Sequence, residues 1–276
     1  GNRVLLDGMS VENMQGIGNS SYQINAALGE EMVLQTSGIS ADTNADGVVL
    51  NVVPRDGGNR FSIIATGLFT NEHLEGTNIT DELRARGLPS ATTTTRVFDE
   101  ALSVGGPIRR DRLWFFSGVG YYKDAERPAS FGNVPKTADE PRARRRDQKY
   151  LVKMTAAPAP RIRLEGYINY NPSGSNNANL GPYVRPEAAY SGDGTQRMGN
   201  VRMTWTLNDR TLVEARYGSF WTDTTAGPTP PNSRSGPPPH LDVLTGVFSG
   251  NFNLFVEADF RMTTASATLT RHTDRF

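Results

Sequence analysis

The 276 residues carry 29 Lys+Arg against 29 Asp+Glu, a formal net charge of zero that excludes a protein held to nucleic acid by bulk charge. Hydrophobic residues make up 37%, charged residues 21% and aromatics 9%, so the chain is polar without having the composition of a disordered one. Cysteine is absent, which removes disulfides and thiolate metal sites, and no run of about 18 apolar residues offers a transmembrane helix.

In chain order, "RVLLDGMSV" reads as a strand entering an Asp-Gly turn at Asp7-Gly8. "EMVLQTSG" reads as a second strand, and "GVVLNVVPRDGGN" as a third, closed by another Asp-Gly turn at Asp56-Gly57. These strands are short, closely spaced and apolar on both faces, which suits a compact mixed sheet buried on both sides. Only Ser21 to Leu28 and Thr80 to Arg86 read as helices, both short. The chain opens in "GNRVLLDGMS" and closes in "TLTRHTDRF", both strand-like, and both ends are read as cuts in a longer protein.

Between the second and third strands, "ADTNADGVVLNVVP" opens like a calcium loop, with oxygen-bearing side chains at Asp42, Asn44 and Asp46 followed by Gly47. Such a loop needs a bidentate carboxylate at its twelfth position, which here is Val53. The cage cannot close, and the stretch reads as a polar loop ahead of a buried strand.

After Asn59 the pattern changes to longer period-two strands. In "FSIIATGLF", Phe61, Ile63, Ala65, Gly67 and Phe69 share a face. In "RLWFFSGVGYYK", Leu113, Phe115, Ser117, Val119 and Tyr121 alternate with Trp114, Phe116, Gly118, Gly120 and Tyr122. In "RLEGYINYN", Leu164, Gly166, Ile168 and Tyr170 alternate with Glu165, Tyr167 and Asn169. "VRMTWTL" and "LVEARYGSFW" repeat the habit. Connections alternate: "PIRRDR", "PAPR" and "LNDR" are tight turns, and the stretches between the resulting hairpins are long, polar loops, in phase along the chain. Short turns at one end and long loops at the other are the habit of outer-membrane barrels, whose strands need about 9 to 11 residues to cross. Trp114, Tyr121, Tyr122, Tyr170 and Trp221 stand near strand ends, where aromatic girdles sit. A soluble β-sandwich or propeller shows similar alternation.

Two motifs carry a resemblance. "VLLDGMSVEN" with "EEMVLQTSGISADTNADGVVLNVVPRDGGNRFS" resembles the C-terminal part of the plug of TonB-dependent receptors. Val48 to Val53 stand at the family's "GVVNIVT" strand, and Arg55 to Phe61 at the stretch leading into the first barrel strand. "LSVGGPIRRDRLWFFSGVGYYK" resembles the second and third barrel strands of the Oar-like subgroup, with Gly105, Gly106, Pro107, Ile108, Asp111, Leu113, Phe115 and Phe116 matching its "GGPI..DK.FFF" pattern. Pro54 in place of the usual Thr, and Ile63-Ile64 where Gly-Ser is frequent, are departures. The motifs cover about residues 1 to 123; beyond them the likeness rests on strand and turn rhythm.

The resemblance implies an all-β chain with a small α+β plug portion, and a partial antiparallel transmembrane barrel of the plug-filled, about 22-stranded type, truncated at both ends. Residues 1–59 would end the plug and residues 60–276 would supply about eight barrel strands with long extracellular loops, forming an open curved sheet. It implies an outer-membrane receptor that binds a ligand outside and imports it with energy delivered by TonB, which contacts a missing N-terminal segment. Lipid and lipopolysaccharide are further partners. The alternatives are a structural or adhesive outer-membrane protein, or a secreted carbohydrate-binding β-sandwich.

The residues suggest no catalysis, no cofactor and no nucleic-acid partner. His73, His240 and His272 are far apart and lack ligand-spaced partners. "GIGNSS" at Gly16 to Ser21 lacks the third glycine of a dinucleotide loop, and Glu30-Glu31 are adjacent on a strand, so they form no carboxylate dyad. "PRARRRDQK", Pro141 to Lys149, reads as a solvated loop end, with contact to lipopolysaccharide phosphates as its functional reading. "GPTPPNSRSGPPP" is a stiff loop tip or part of a ligand lid. Met14 to Ser21 and the long loops are ligand-contact surfaces with no single residue marked.

Overall fold

The computed structural model describes residues 3–11, 28–37, 47–88, 90–129 and 142–273. Two sheets account for most of them. The smaller contains β1 (Arg3–Leu6), β2 (Met9–Ser10), β3 (Gly29–Gln35) and β4 (Val49–Pro54), in the order β2-β1-β4-β3. It is mixed: β1 runs parallel to β4, and the other pairs are antiparallel. Asp7 (φ 49°) and Gly8 (φ 75°) form the turn between β1 and β2, both left-handed, as an Asp-Gly two-residue hairpin requires.

The larger sheet has eight strands: β5 (Ser62–Asn71), β6 (Thr93–Arg109), β7 (Leu113–Arg127), β8 (Ala143–Ala159), β9 (Ile162–Asn176), β10 (Tyr190–Asn208), β11 (Thr211–Pro228) and, after the two-residue strands β12 (His240–Leu241) and β13 (Phe248–Ser249), β14 (Val256–Arg271). Its neighbours are all antiparallel and consecutive except that β14 pairs with β11, and it is open at β5 and β14. The tight turns fall where the sequence places them, at Arg110–Arg112, Pro160-Arg161 and Asp209-Arg210. Among the described residues the long connections hold α1 (Asp81–Ala85), with the Thr80 hydroxyl accepting from the Leu83 N–H at 3.2 Å, and a 3-10 turn at Pro186–Ala188.

Three expectations need correction. The strands are not 9 to 11 residues long: β6 to β11 run 15 to 19 residues. Stretches read as loop, such as Pro172 to Asn176 and Asp223 to Pro228, continue the ladder, because pairing persists after outward apolar alternation stops. Asp56-Gly57 is not a turn; the chain passes through it extended between β4 and β5. The small sheet is not buried on both sides: β3 is an edge strand with Met32, Val33 and Leu34 exposed. The helix expected at Ser21 to Leu28 and the Asp42 to Asp46 loop fall outside the described residues, apart from Leu28.

The faces of the large sheet decide what it is. Ile168 is 69% exposed and its strand neighbour Asn169 is 2% exposed. The same split runs across the wall. Val152, Tyr150, Val201, Tyr217 and Trp221 face the open side, while Lys153, Glu165, Asn171, Gln196, Asn200 and Thr222 are buried on the other. A sandwich buries its apolar faces against each other; here the apolar face is open and the polar face covered. That inversion is the transmembrane barrel's, lipid outside and polar lumen inside. On β9 the outward apolar stretch runs from Ile162 to Tyr170, nine residues, enough for a tilted strand to cross hydrocarbon. The remaining strand length extends past it on the long-loop side.

Cross-strand register lines up an interfacial row at that edge: Val119, Tyr150, Tyr170, Arg197, Trp221 and Arg261 are successive partners. Tyr150 and Tyr170 stack at 6.0 Å, and Arg261 lies 4.5 Å from the Trp221 ring centre. Tyr121, Tyr170 and Trp221 thus take girdle positions. Tyr122 alternates onto the inward face instead, and Trp114 donates its indole N–H to Asn59 near a tight turn.

Candidate functional site

The small sheet docks on the inward face of the large one. Leu6, Met9, Val11, Leu28 and Val52 form one buried cluster with Phe116, Leu151, Tyr167, Met198 and Phe220 of the wall. Five consecutive wall strands, β7 to β11, contribute, so the wall curves around the small sheet. Each such side chain contributes about 1.5–3 kcal/mol on full burial. The Tyr167 hydroxyl donates to the Leu6 carbonyl at 3.2 Å, fixing β1 to β9.

Around this apolar centre lies a charged junction. Asp56, just after β4, accepts from Lys153 Nζ at 2.7 Å, Arg163 Nη2 at 2.8 Å and the Thr155 hydroxyl at 3.1 Å. Lys153 also donates to the Pro54 carbonyl at 3.2 Å and lies 3.9 Å from Glu165. Glu165 receives both Arg163, at 3.3 Å, and Arg202, and Arg202 reaches Asp7 at 3.4 Å. The chain Asp56–Lys153–Glu165–Arg202–Asp7 therefore ties two points of the small sheet to three wall strands. Lys153, Glu165 and Asp7 side chains are 3%, 5% and 7% exposed, so each charge depends on its partners.

The two motif stretches of the sequence meet here. Asn59 accepts the Trp114 indole N–H at 2.8 Å and the Asp111 backbone N–H at 2.9 Å, and Asp111 takes a left-handed φ of 62° to offer it. Gly57 passes so close to β7 that a Cβ would sit 2.1 Å from the Phe115 carbonyl oxygen. The glycine and asparagine of "RDGGNRF" and the Asp of "RRDRLWFF" are thus the parts of one joint between the small sheet and the wall.

Beyond the small sheet, toward the long-loop ends, the inward face opens into a cleft of about 740 Å³, lined by Asp124, Asp147, Gln196, Thr224, Tyr190 and Phe252 among others. Along this inward wall the Oδ1 atoms of Asp124 and Asp147, both polar side-chain atoms of Asn171, and the Thr222 hydroxyl have no partner among the described residues. Asp147 turns its other oxygen to Arg145 at 2.9 Å. Of these residues, Asp124 and Asp147 line the cleft. The region is polar wall, reached by reading the inward positions of β7 to β11 together; no motif marks it.

The other candidates stay apart. His73 follows β5, His240 lies in β12, and His272 follows β14 with its N–H on the Arg210 carbonyl. Among the described residues no group of three or more His, Cys, Asp or Glu could hold a metal ion. Glu30 and Glu31 are both exposed on β3, at a bulge. Of Pro141 to Lys149, Arg145, Asp147 and Lys149 face inward and Arg146 outward. The proline-rich stretch follows β11 as an exposed connection in which Arg234 pairs with Glu257 of β14 and stacks over Phe255 at 5.1 Å. Gly16 to Ser21 lies outside the described residues.

No family model matches the chain. Over 120 residues it is 28% identical to the TonB-dependent transporter Oar of Myxococcus xanthus, a match covering 42% of this chain and 11% of that protein. Among solved structures it resembles the outer-membrane transporter YddB from Escherichia coli, with a TM-score of 0.70 at 13% identity over 100% of this chain and 38% of that one. A mutant of the ferric enterobactin receptor PfeA from Pseudomonas aeruginosa gives 0.63 at 16% identity, over 96% and 37%. The siderophore receptor PirA from Acinetobacter baumannii gives 0.61 at 13% identity, over 96% and 36%. The chain therefore spans a little over a third of the solved receptors' length and, in the matched part, about a tenth of the curated relative's. At these identities the solved structures share its fold, and over the matched 120 residues its sequence is similar to that of a TonB-dependent transporter.

Proposed function

We propose that the whole protein is an importer: a ligand binds from outside in the cleft above the plug, and force applied through TonB, powered from the inner membrane, displaces the plug and opens the path. Residues 1–59 are then the end of the plug and residues 60–276 the barrel wall that holds it. The observation that supports this reading is the charged junction, in which Asp56 and Asp7 of the small sheet meet Lys153, Arg163 and Arg202 of the wall. A purely apolar contact would fuse the two parts into one core. Ion pairs beside a polar cleft can exchange partners with water as the plug moves, so separation is possible without exposing only apolar surface.

Relatives of this fold include receptors named for siderophores, so ferric siderophores are the first ligand class to try. The protein forms and breaks no covalent bond in this role and uses no cofactor. The test is uptake by cells carrying the full-length parent. Radiolabelled ferric siderophores, then a wider ligand panel, are offered to wild type, to a deletion of the parent and to a TonB deletion. Accumulation that needs both proteins is expected. Uptake of a ligand that needs the parent and is untouched by loss of TonB contradicts the reading, and a parent that supports no uptake while the cell surface changes on its deletion points to a structural role.

A further inference from the structure

The cleft above the small sheet is built asymmetrically. One register row crosses it: Asp124, Arg145, Ser175, Gly192, Ala226 and Val256 are successive partners on β7, β8, β9, β10, β11 and β14. The row is charged at one end, small in the middle and apolar at the other. Glu126 and Asp147 join Asp124 in the lining at the charged end, Phe252 and Leu254 precede Val256 at the apolar end, and Tyr190 of β10 stands between. Tyr190 and Phe252 pack with ring centres 4.9 Å apart. At about 4.8 Å per strand, the carboxylates on β7 and β8 lie roughly 10–15 Å from Tyr190.

The acidic end is not balanced from within. Asp147, its side chain 4% exposed, turns one oxygen to Arg145 at 2.9 Å. Its other oxygen and Oδ1 of Asp124 have no partner among the described residues. Glu126 is exposed and pairs with no cation among them. With Asp193, the lining holds four carboxylates against the guanidiniums of Arg144 and Arg145. Lys149, buried one row deeper, interacts with Asp99 as well as with Asp147, so it does not restore the balance. The floor is unfinished too. Gln196 lines it at 4% exposure, and its amide has no hydrogen-bond partner among the described residues. The side chains of its cross-strand neighbours Asn171 and Thr222 are likewise unpartnered. Buried amides are almost always hydrogen-bonded, so the floor calls for a group that these residues do not supply.

We infer that the cleft takes an amphipathic organic cation. Its guanidinium or protonated amine points to Asp124, Glu126 and Asp147, its hydrogen-bonding middle lies over Gln196, and its aromatic or aliphatic end packs against Tyr190, Phe252 and Leu254. Charge selects the cationic end. The unpartnered oxygens of Asp124 and Asp147 are closed to water, so they act on the ligand through their field, which a cleft walled by protein strengthens. Glu126 is placed for direct contact. Ser175, Gly192 and Ala226 leave room for the chain that links the two ends. The volume of about 740 Å³ suits a small organic ligand. The inference rests on the import reading and narrows its ligand panel.

The probes are acetyl-Arg-Gly-Gly-Phe amide, its uncharged citrulline analogue, its Glu analogue, and acetyl-Arg-Gly-Gly-Gly amide, which lacks the ring. Four extended residues span at most about 14 Å, the length the cleft asks for. Each probe is titrated calorimetrically against the purified full-length parent. The Arg probe is expected to bind at least about ten-fold more tightly than the citrulline probe, with the Glu and ring-less probes weaker than the Arg probe. Asp124→Asn/Glu126→Gln is expected to erase the preference for Arg over citrulline, and Phe252→Ala the preference for the ring. Both are expected to keep the gel shift between boiled and unboiled samples. Glu126→Gln alone, at an exposed position, is expected to lose part of the charge preference and carries the test if the double variant fails to fold. Equal affinity of the Arg and citrulline probes, no binding of any probe, or a charge preference that survives Asp124→Asn/Glu126→Gln overturns the inference. Uptake of the labelled probes by cells with and without TonB separates it from the import reading. Uptake that needs TonB and ignores probe charge overturns the inference alone. Charge-selective binding with uptake untouched by loss of TonB overturns the import reading alone.

Discussion

Lys153 Nζ lies 2.7 Å from Asp56 Oδ1, and the two residues come from different sheets. The lysine is an inward-facing side chain on β8 in a wall whose other face is apolar, and it is almost fully buried. Its ammonium is held by Asp56, by the Pro54 carbonyl and, at longer range, by Glu165. Removing Asp56 leaves a buried charge short of its best partner, and breaking one side of such a pair costs about 3–5 kcal/mol. Asp56→Asn in the full-length parent is expected to lower the temperature at which the gel shift is lost. Adding Lys153→Met is expected to recover most of that loss, because the uncompensated charge is then gone too. A double variant no better than Asp56→Asn would show that the pair is not coupled.

Gly57 and Gly199 separate the small-sheet joint from the lipid face. A Cβ at Gly57 meets the Phe115 backbone at 2.1 Å, which no rotamer change relieves. At Gly199, an outward position between Ile168 and Ser219, a Cβ meets nothing within 4 Å. Gly57→Ala is therefore expected to loosen the small sheet, seen as faster proteolysis of the folded protein, and Gly199→Ala to leave proteolysis unchanged. Equal sensitivity of the two would mean that the segment after β4 does not pass against β7.

Val201, paired with Gly166 halfway along the Ile162 to Tyr170 stretch, stands in the middle of the outward band. Arg at the bilayer midplane of a barrel costs about 2–4 kcal/mol, falling toward zero near the interface. Val201→Arg is expected to reduce the membrane-inserted, heat-modifiable fraction sharply. Thr225→Arg, outward but beyond the girdle in the Lys123–Arg146 row, is expected to insert normally.

The turn at Asp242 gives a pH dependence outside the membrane. Its carboxylate accepts the backbone N–H of Leu244 at 2.9 Å and of Thr245 at 3.2 Å, and these bonds hold its pKa below the ordinary value of 3.8. The folded-state pKa is lowered, so the turn's support is complete above the ordinary carboxylate range and is lost as pH falls through the lower, folded value. Protease nicking of this loop is expected to be independent of pH from neutral down to about 4 and to rise below it, and Asp242→Ala is expected to nick faster at neutral pH. Acid sensitivity setting in well above that range would mean another group governs the loop.

Much of the architecture was legible because two signals agreed. Period-two alternation marked the wall strands, and the phase of tight turns and long stretches showed which end was which. Alternation alone left barrel and sandwich equal, since it says which residues share a face and not which face meets lipid; Ile168 and Asn169 required the structure. Strand lengths were underestimated because pairing past Tyr170 and Trp221 depends on backbone partners, while the outward residues there, Pro172, Asp193 and Asp223, no longer look like strand. Asp56-Gly57 misled for a related reason: Asp-Gly is a turn pair at Asp7-Gly8, but at 56-57 a distant lysine claims the carboxylate and the wall backbone claims the space. The junction itself joins residues about a hundred positions apart, and the cleft comes from inward positions on five strands, so no local pattern announces either.

The outward band faces lipid and the inward cleft faces water. The absence of cysteine from residues 1–276 makes single-cysteine labelling clean over this region. In a cysteine-free version of the full-length parent in native outer membranes, cysteines replace Ile168, Val201 and Tyr217 on the band, and Thr224 in the cleft. Each is exposed to a membrane-partitioning reagent and to a water-soluble one. The band positions are expected to react with the first and resist the second, and Thr224→Cys to do the reverse. Reaction of Ile168→Cys, Val201→Cys and Tyr217→Cys with the water-soluble reagent as readily as Thr224→Cys would contradict the account, because the apolar face would then be open to water.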